Sequence, residues 1–404
     1  MRILYTVLAY KPAYRVGGPI ASVSAAAEML VQRGHEVTVL TTNANLDEDL
    51  DVPVDQPIDV DGVTVWYFRR QEPLQKWVPF ISYLSRSIGF LYAPKMAATL
   101  RRLVPQMDLV TTHLPFVYPT YAGARAARKA GKPLFYYQRG VFGAEHLKFR
   151  SLKKRIYIEL IERPIMRRAT TLIALTEAEV ASYRRLGVDT PCRVIPNGVD
   201  VRKYRIRPAA RPACLAGVAD DAPVVLFMGR LHPHKGADRL LESFTKVAAV
   251  HPKAVLVMAG PDEWGLVEQF RQRVSGDILA RLLFPGMVTG DDKRDLLARA
   301  DLFCLPSDGE GFSMAILEAM ASSTAVLISP GCHFGDVESR GAGRVVSTSP
   351  AALTDAIIDL LSDRDRLRVM GARGLALVTA DYTWEAIVSR IEAVYREGVE
   401  RAGR

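Results

Sequence analysis

At 404 residues, the chain is longer than a single hydrophobic core usually supports, so two domains of ordinary size are expected. Its composition is globular, and no apolar run approaches the roughly 18 residues that a membrane-spanning helix needs. The formal net charge of +9 comes entirely from the first 200 residues, which favours an anionic or interfacial partner for that half.

The N-terminus and the cysteines predict a cytoplasmic protein. The opening sequence MRILYTVLAY leads directly into a strand pattern, without the features of a cleavable signal. The four cysteines lie mostly in apolar surroundings and lack metal-ligand spacing, so neither disulfides nor zinc is expected. They are Cys192, Cys214, Cys304 and Cys332.

Short β-rich apolar runs alternate with longer helical patterns, which is typical of βαβ units on parallel sheets. The candidate strands of the first half are RILYTVLAY, EVTVLTT, VTVWYFR, LVTTH, LFYYQ and TLIALT. Those of the second half are VVLFMG, AVLVMAG, LLFPG, LFCLP, AVLIS and GRVVS. Two such sets predict two doubly wound α/β domains. The Pro- and Arg-rich segment between them places the boundary near residues 200–220, and the final segment TWEAIVSRIEAVYREGV predicts an amphipathic helix.

A basic, aromatic segment lies in the first half. Between Glu72 and Asp108 there is no acidic residue. Cations (Lys76, Arg86, Lys95, Arg101 and Arg102) are interleaved there with aromatic residues (Trp77, Phe80, Tyr83, Phe90 and Tyr92). A second basic cluster comprises Lys148, Arg150, Lys153, Lys154 and Arg155. Such a surface favours peripheral, salt-sensitive binding to an anionic membrane. The alternative is that the aromatic side chains pack into the first domain and the cations are solvated.

The stretch DGEGFSMAILEAMAS, from Asp308 to Ser322, carries two glutamates eight positions apart. It follows the strand LFCLP, and Ser313 is placed to cap a helix that begins at Met314, whose free amides would favour a phosphate. Glu310 in the turn and Glu318 in the helix can therefore bracket a phosphate-containing ligand. One would accept hydroxyls from a sugar and the other from a ribose. The alternative is two solvated surface charges.

Two cations follow another strand of the same predicted sheet. The segment VVLFMGRLHPHKGADRLLESF reads strand, turn, helix, with Arg230 and Lys235 in the turn. Two cations so placed can clamp a diphosphate. Ligands of open α/β sheets bind at the carboxyl ends of the strands, which is where both groups lie.

The chain resembles the retaining, nucleotide-sugar-dependent glycosyltransferases of family 4. The resemblance runs through GGPIASVSAAAEMLVQRGHEVTVLTT, VIPNGVD, GRLHPHKG, GDDKRDLLARADLFCLPSDGEGFSMAILEAMA and the closing TW...Y helix. It implies the GT-B architecture, with two facing Rossmann-like domains and a C-terminal helix that crosses back to the first domain. The implied bounds are residues 1–205, 206–385 and 386–404.

The resemblance also implies a donor site in the second domain. Glu310 would contact the transferred sugar, Glu318 the ribose hydroxyls, and Arg230 with Lys235 the diphosphate. Backbone amides of three residues would face the sugar and the phosphate, namely Gly311, Phe312 and Ser313.

In the first domain, the resemblance implies that Gly17 and Gly18 let the backbone approach the donor phosphate and that His113 lies against the donor sugar. The alternatives are an ordinary strand-to-helix turn and a structural histidine. Arg139, within Gln138-Arg139-Gly140, stands where many relatives carry a histidine-containing pair. An arginine there suits a phosphorylated or acidic acceptor, although this departure leaves the acceptor contacts open.

No metal or other cofactor is expected. Asp59-Val60-Asp61 is superficially similar to the metal-binding motif of other glycosyltransferases, but it lies in a hydrophilic loop. The resemblance implies instead that Arg230, Lys235 and helix amides stabilise the leaving diphosphate.

The predicted activity is retaining transfer of a hexose-type residue from a nucleoside diphosphate sugar to an acceptor hydroxyl, in surface polysaccharide or glycolipid synthesis. The catalytic candidates are Glu310, Arg230, Lys235 and His113. An epimerase or phosphorylase of the same fold is one alternative, and a basic nucleic-acid-binding protein is another. The neutral second half weighs against nucleic acid. The base, the sugar, the acceptor and the oligomeric state stay open.

Overall fold

The chain folds into two α/β units. The computed structural model describes residues 1–45, 48–71, 92–143, 151–204, 212–262, 264–274 and 276–403. The first unit comprises Met1–Asn197 and Trp384–Arg404, and the second comprises Gly198–Thr383. The predicted boundaries, after residues 205 and 385, lie close to these divisions.

The first unit is built on a parallel sheet. Its strands are β1 (Arg2–Thr6), β2 (Glu36–Thr42), β3 (Ala44–Asn45), β4 (Glu48–Asp49), β5 (Pro57–Val60), β6 (Val63–Phe68), β7 (Leu109–His113), β8 (Leu134–Tyr137), β9 (Thr171–Ala174) and β10 (Cys192–Val194). Eight of them form one sheet in the order β10-β9-β8-β7-β1-β2-β6-β5, while β3 pairs with β4. Only β5 runs antiparallel among the described pairs of this sheet. Residues Ile3, Val39 and Val110 are completely buried, as expected for strands covered on both faces.

Helices and one π-helix connect these strands. They are α1 (Gly18–Gln32), α2 (Pro94–Leu103), α3 (Tyr118–Lys129), α4 (Ser151–Tyr157), the π-helix Ile158–Glu162, α5 (Arg163–Arg168) and α6 (Glu177–Arg185). Pro164 lies at the start of α5 and has no N–H to donate to the carbonyl of Leu160. This missing donor gives a physical reason for the wider π turn that precedes it.

The second unit has a six-stranded parallel sheet in its described residues. The strands are β11 (Val224–Met228), β12 (Val255–Ala259), β13 (Leu282–Gly286), β14 (Leu302–Leu305), β15 (Ala325–Ile328) and β16 (Gly343–Val345). Their order is β13-β12-β11-β14-β15-β16. The helices are α7 (Ala237–Val250), α8 (Leu266–Arg273), α9 (Gly276–Leu279), α10 (Gly290–Arg299), α11 (Met314–Ala321), α12 (Asp336–Ser339), α13 (Pro350–Leu361) and α14 (Arg364–Asp381). Because β11 and β14 are neighbours, the segments that follow them meet at one edge of the sheet.

The last helix, α15 (Trp384–Ala402), belongs to the first unit. Glu392 on this helix accepts hydrogen bonds from Arg33, at 2.7 and 3.0 Å, and its Oε1 lies 2.7 Å from Nε2 of His35. These contacts, led by the hydrogen bond from Arg33, lower the pKa of Glu392 to about 2. The hydroxyl of Tyr395 lies 3.3 Å from those of Tyr5 and Tyr137. A buried carboxylate paired with the partly exposed Arg33, together with a buried hydroxyl cluster, therefore attaches the C-terminal helix to the first unit.

The aromatic and basic segment predicted for membrane contact is only partly described. Residues 72–91, which include Lys76, Trp77, Phe80, Tyr83, Arg86 and Phe90, lie outside the described residues, as do Lys148 and Arg150. At the described end, Tyr92 packs against Tyr118 with ring centroids 5.0 Å apart, and Arg102 lies 5.2 Å from the centre of the Trp66 ring. Tyr92 thus packs against the core of the first unit. Within the described residues, no helix is both long enough and apolar enough to cross a bilayer.

Candidate functional site

The turn after β11 is held against the segment after β14. The 3-10 turn Pro233–Lys235 ends at Gly236, which has a φ of 74°. A Cβ at Gly236 would lie 2.2 Å from the carbonyl oxygen of Pro306, so only glycine permits this approach. The N–H of Asp308 donates to the carbonyl of His234 at 2.8 Å. This packing brings Lys235 beside the turn that carries Glu310.

Lys235 and Glu310 form a largely buried ion pair. The Nζ atom of Lys235 donates to both carboxylate oxygens of Glu310, at 2.5 and 2.7 Å. The side chains are 17% and 8% exposed, respectively. The N–H of Glu310 also donates to the carbonyl of Gly331 at 2.9 Å, which fixes the backbone of the turn. Two residues predicted from separate motifs therefore lie in direct contact.

Glu318 has two partners that the sequence did not indicate. It is 7% exposed on α11, and Nζ of Lys293 lies 2.7 and 2.6 Å from its two carboxylate oxygens. The Tyr204 side chain hydrogen-bonds to the same carboxylate, and burial, followed by the charge of Glu318, raises the pKa of this tyrosine. Lys293 lies in the acidic run GDDKRD and Tyr204 in a basic run, so neither stands out in the sequence as a partner of Glu318.

The N-terminus of α11 offers backbone amides. Ser313 is the N-cap residue, as predicted, but its hydroxyl makes no capping hydrogen bond within the described residues, and the first turn of the helix carries no acidic residue. Phe312 is 8% exposed, and its ring centroid lies 4.7 Å from that of Phe334. Gly311, Phe312 and Ser313 can therefore present only backbone groups and one hydroxyl to a ligand. Such a helix start favours an anion.

Arg230 occupies the turn directly after β11, and its side chain is exposed. The neighbouring Leu231 N–H donates to the carbonyl of Pro261 at 2.9 Å. A Cβ at Gly260 would lie 1.8 Å from the carbonyl oxygen of Gly229, so the ends of β11 and β12 approach closely here. The role of Arg230 as a diphosphate ligand stays a prediction.

Gly17 and Gly18 lie at the start of α1 in the first unit. Gly17 has a φ of 101°, which favours glycine. Apart from Gly17 itself and its two chain neighbours, no described atom lies within 4 Å of where its Cβ would stand, and Gly18 is the first residue of the helix. This open space is compatible with a close backbone approach to a ligand.

His113 is buried at the end of β7, with 2% exposure. Arg139 Nε donates to its Nδ1 at 3.1 Å, so the hydrogen is on Nε2, which lies 2.7 Å from the Thr111 hydroxyl and donates to it. Burial, and secondarily the charge of Arg139, hold the pKa of His113 well below its usual value. His113 is therefore a neutral imidazole whose two nitrogens are both hydrogen-bonded within the protein. Its predicted contact with the donor sugar stays a prediction.

Arg139 follows β8 in the left-handed region, with a φ of 50°. Besides His113, its guanidinium donates to the Ser22 hydroxyl at 2.9 Å and to the amide oxygen of Asn197 at 3.4 Å. It lies 5.2 Å from the centre of the Tyr137 ring, and burial lowers its pKa. The hydrogen-bond partners described for this cation are neutral, although the charge of the nearby Glu179 also acts on it. Neutral partners of this kind are consistent with binding an anion.

The carboxylates of Asp59 and Asp61 both have partners within the protein. The expected hydrophilic loop is wrong in part, because Asp59 and Val60 are the last residues of β5 and only Asp61 lies in the turn before β6. Asp59 accepts the N–H of Gly62 at 3.2 Å, and Asp61 pairs with Lys11 at 2.8 Å. Among the described residues, no group of three or more His, Cys, Asp or Glu side chains is arranged to hold a metal ion. The independence from metals stays a prediction.

Two buried glutamates hold the loops that follow β7 and β8. Glu162, 1% exposed, accepts the N–H of Phe116 and the hydroxyl hydrogen of Tyr136, each at 2.7 Å. Glu179 accepts the N–H of Gly140 and, at 2.7 Å, that of Leu175. Desolvation by burial raises the pKa of both carboxyl groups from 4.5 to about 7. Both lie behind the loops that present His113 and Arg139.

We expect Glu162→Gln to flatten the pH dependence of stability. A raised pKa in the folded state gives stability that is complete below pH 4.5 and is lost as the pH rises through about 7. The raised pKa corresponds to a loss of about 3 kcal/mol in the free energy of unfolding as the pH rises from 4.5 to about 7. Glutamine can keep both contacts by accepting from Phe116 and donating to the Tyr136 hydroxyl. The free energy of unfolding, measured by urea titration across this pH range, checks the effect. Glu159→Gln is the exposed control, and a variant as pH-dependent as the wild type would contradict the assignment.

Family models match both units of the chain. The model described as glycosyl transferase 4-like domain matches residues 17–198, and the one described as glycosyl transferases group 1 matches residues 216–376. Two Rossmann-like units with parallel sheets are a feature of the GT-B fold. The chain belongs to the family 4 glycosyltransferases of this fold.

Several curated relatives are mannosyltransferases by name. The chain is 31% identical over 208 residues to the GDP-mannose-dependent monoacylated alpha-(1-6)-phosphatidylinositol monomannoside mannosyltransferase of Corynebacterium glutamicum, covering 49% of this chain and 54% of the relative. It is 34% identical to a phosphatidyl-myo-inositol mannosyltransferase of Mycobacterium tuberculosis, covering 58% and 61%. The chain thus spans little more than half the length of these relatives.

Solved structures share the fold along nearly the whole chain. The HepE protein of Anabaena, in complex with UDP and glucose, has a TM-score of 0.75 and 21% identity, covering 98% of this chain and 100% of that one. The sucrose-phosphate synthase of Thermosynechococcus elongatus has a TM-score of 0.73 and 20% identity, covering 98% of both chains. At this identity the likeness shows the fold.

Proposed function

We propose that the protein is a retaining hexosyltransferase that moves a sugar from a nucleoside diphosphate sugar to an acceptor hydroxyl in glycolipid or surface polysaccharide synthesis. The observation that carries the proposal is the contact between Lys235 and Glu310, beside an uncapped helix N-terminus at the carboxyl ends of β11 and β14. This edge offers a cation, amides and carboxylates together. Those are the groups needed to bind a diphosphate and the hydroxyls of a sugar.

Lys235 is suited to stabilise the leaving diphosphate. An ammonium group has three N–H donors, and two are directed at Glu310, which leaves one for a phosphate oxygen. The amides at the start of α11 and the exposed Arg230 would bind the remaining phosphate oxygens. Charge would then be stabilised as it develops, by groups already in position.

Glu310 and Glu318 would each bind the hydroxyl groups of a different part of the donor. Glu310, held by Lys235, would accept hydroxyls of the transferred sugar, while Glu318, held by Lys293 and Tyr204, would accept those of the ribose. The contacts with Lys235 and Lys293 hold the two carboxylates in fixed positions to accept such hydrogen bonds. Lys293 and Tyr204 therefore act as positioning residues.

Transfer would proceed on the face from which the diphosphate leaves. The bond between the anomeric carbon and the diphosphate oxygen breaks, the acceptor oxygen bonds to the same carbon, and the acceptor proton passes to the leaving oxygen. No protein nucleophile or metal ion takes part in this scheme. The protein contributes orientation and charge stabilisation.

The acceptor is proposed to carry a phosphate or another acidic group. Arg139 is cationic, and hydrogen bonds to three neutral groups, on Ser22, Asn197 and His113, hold it in place. Two relatives are named as mannosyltransferases of phosphatidylinositol derivatives, one of them GDP-mannose-dependent, and these names support a lipid-linked acceptor of this kind. We further propose a cytoplasmic protein that is peripheral at the inner face of the membrane, consistent with the basic first half.

A donor and acceptor screen tests the proposal. GDP-mannose, UDP-glucose and other nucleotide sugars are each combined with phosphatidylinositol or with a neutral glycolipid, and product and free nucleoside diphosphate are measured. We expect one donor to be used, an anionic acceptor to be preferred, and NMR to show retained anomeric configuration. Arg139→Gln should raise the KM for that acceptor and reduce the preference.

Three outcomes would contradict the proposal. Inverted configuration would exclude the retaining mechanism, and donor conversion without transfer would favour an epimerase. Thermal stabilisation by oligonucleotides but by no nucleoside diphosphate would favour nucleic-acid binding.

A further inference from the structure

Three large aliphatic side chains are exposed on one face of a helical segment in the first unit. Leu152 is 70% exposed, Ile156 44% and Leu160 69%. They lie on α4 and the π-helix, four positions apart, so they are neighbours on the helix surface. We refer to these three residues as the aliphatic stripe.

The same segment is anchored by its opposite face. Ile158 is 3% exposed, Glu162 1% and Met166 0%, and the two apolar residues belong to the hydrophobic core of the unit. Glu162 adds its hydrogen bonds to Phe116 and Tyr136. The segment thus has its own buried face, and the aliphatic stripe is additional to it.

Scattered exposed aliphatic residues are common, but a contiguous set marks an interaction surface. The stripe differs in this respect from Val250 and Val369 of the second unit, which are 55% and 51% exposed and lie on separate helices, α7 and α14. A surface of this kind needs an apolar partner.

The charges around the stripe indicate which partner it fits. Residues 151–168 carry six basic and two acidic residues. Glu162 is buried and Glu159 is paired with Arg163, while Arg155, Arg167 and Arg168 are exposed. A helix that combines exposed aliphatic residues with an excess of cations fits the surface of an anionic bilayer.

We propose that the aliphatic stripe docks the first unit onto an anionic lipid bilayer. Leu152, Ile156 and Leu160 enter the headgroup boundary, and the surrounding cations attract anionic headgroups. The proposal deepens the proposed function, on which it rests, because it names the surface through which a lipid-linked acceptor is reached. It places membrane contact on the helix that carries part of the second basic cluster recognised in the sequence. In the first basic segment, the described aromatic residue Tyr92 packs against the core.

Vesicle sedimentation tests the proposal. The wild type is mixed with vesicles of phosphatidylcholine alone or with added phosphatidylglycerol, at low and high salt. We expect binding to the anionic vesicles at low salt and its loss at high salt. The triple variant Leu152→Ser, Ile156→Ser and Leu160→Ser should bind about tenfold more weakly or worse, because burying aliphatic surface contributes to interfacial binding. The matched control, Val250→Ser with Val369→Ser, should bind like the wild type.

Three outcomes would count against the stripe as a membrane surface. A folded triple variant that binds anionic vesicles like the wild type, or a wild type that binds neither vesicle, would overturn the proposal. A wild-type dimer that the triple substitution converts to monomers, with vesicle binding unchanged, would assign the stripe to a second copy. Transfer to a water-soluble acceptor should persist in the triple variant. If the wild type also failed to transfer sugar to a water-soluble acceptor, that result would count against the proposed function but not against the stripe.

Discussion

Lys235→Ala is expected to slow sugar transfer about a hundredfold or more. Removing one preorganised charged donor from a developing negative charge costs about 2.7–4 kcal/mol of barrier. Lys235 is the cation that the structure places directly on Glu310, at 2.5 Å, so its loss affects both the leaving group and the carboxylate. Single-turnover transfer rates under saturating donor give the comparison.

The control for this substitution is Lys253→Ala, an exposed lysine of the second unit that pairs with Asp221. Because Lys235→Ala leaves the largely buried Glu310 carboxylate without its cation, the variant should also lose stability. The double variant Lys235→Met with Glu310→Gln removes both charges. It therefore separates the loss of stability from the loss of transfer rate. A folded Lys235→Ala enzyme that transfers sugar at nearly the wild-type rate would refute the assignment.

Substitutions of the two glutamates are expected to have different effects. Glu318→Ala should weaken binding of the free nucleoside diphosphate about tenfold or more, since a hydrogen bond to a charged group contributes about 1.5–3 kcal/mol. Glu310→Ala should leave that binding largely intact, because the product lacks the sugar, and should instead greatly reduce transfer. Calorimetry with the nucleotide and a transfer assay distinguish the two.

Glu242→Ala, on the exposed face of α7, controls for loss of a carboxylate in the same unit. Lys293→Met should resemble a mild form of Glu318→Ala, because Lys293 holds that carboxylate at 2.6 Å. Wild-type affinity for the nucleotide in both Glu318→Ala and Glu310→Ala would show that Glu318 does not bind the ribose.

The twelve predicted strands all coincide with strands of the two sheets. Buried parallel strands give continuous apolar runs, which is why β11, β12 and β15 could be recognised. The two edges of the first sheet were missed. β5 begins with a proline and alternates exposed with half-buried residues, and β10 has only three residues, so neither produces such a run.

The candidate site was predictable where its residues sit next to a recognisable strand or helix. Lys235 and Glu310 follow β11 and β14, and neighbouring parallel strands bring their loops together. Lys293 and Tyr204 were not predictable, because they reach Glu318 from α10 and from the turn after Asp200, and no local pattern encodes that meeting. The neutral state of His113 likewise depends on burial and on Arg139, which only the tertiary structure supplies.

The attachment of α15 has a consequence for biosynthesis. The unit that contains residue 1 also needs Glu392 and Tyr395, so it is discontinuous in the chain, whereas Gly198–Thr383 is one uninterrupted stretch. On the ribosome, the first half of the chain emerges early. It lacks Glu392, the partner of Arg33 and His35, until nearly the whole chain has been translated. The second unit, although synthesised later, has all of its residues before the first does. The unit that is translated first is therefore the last to be completed.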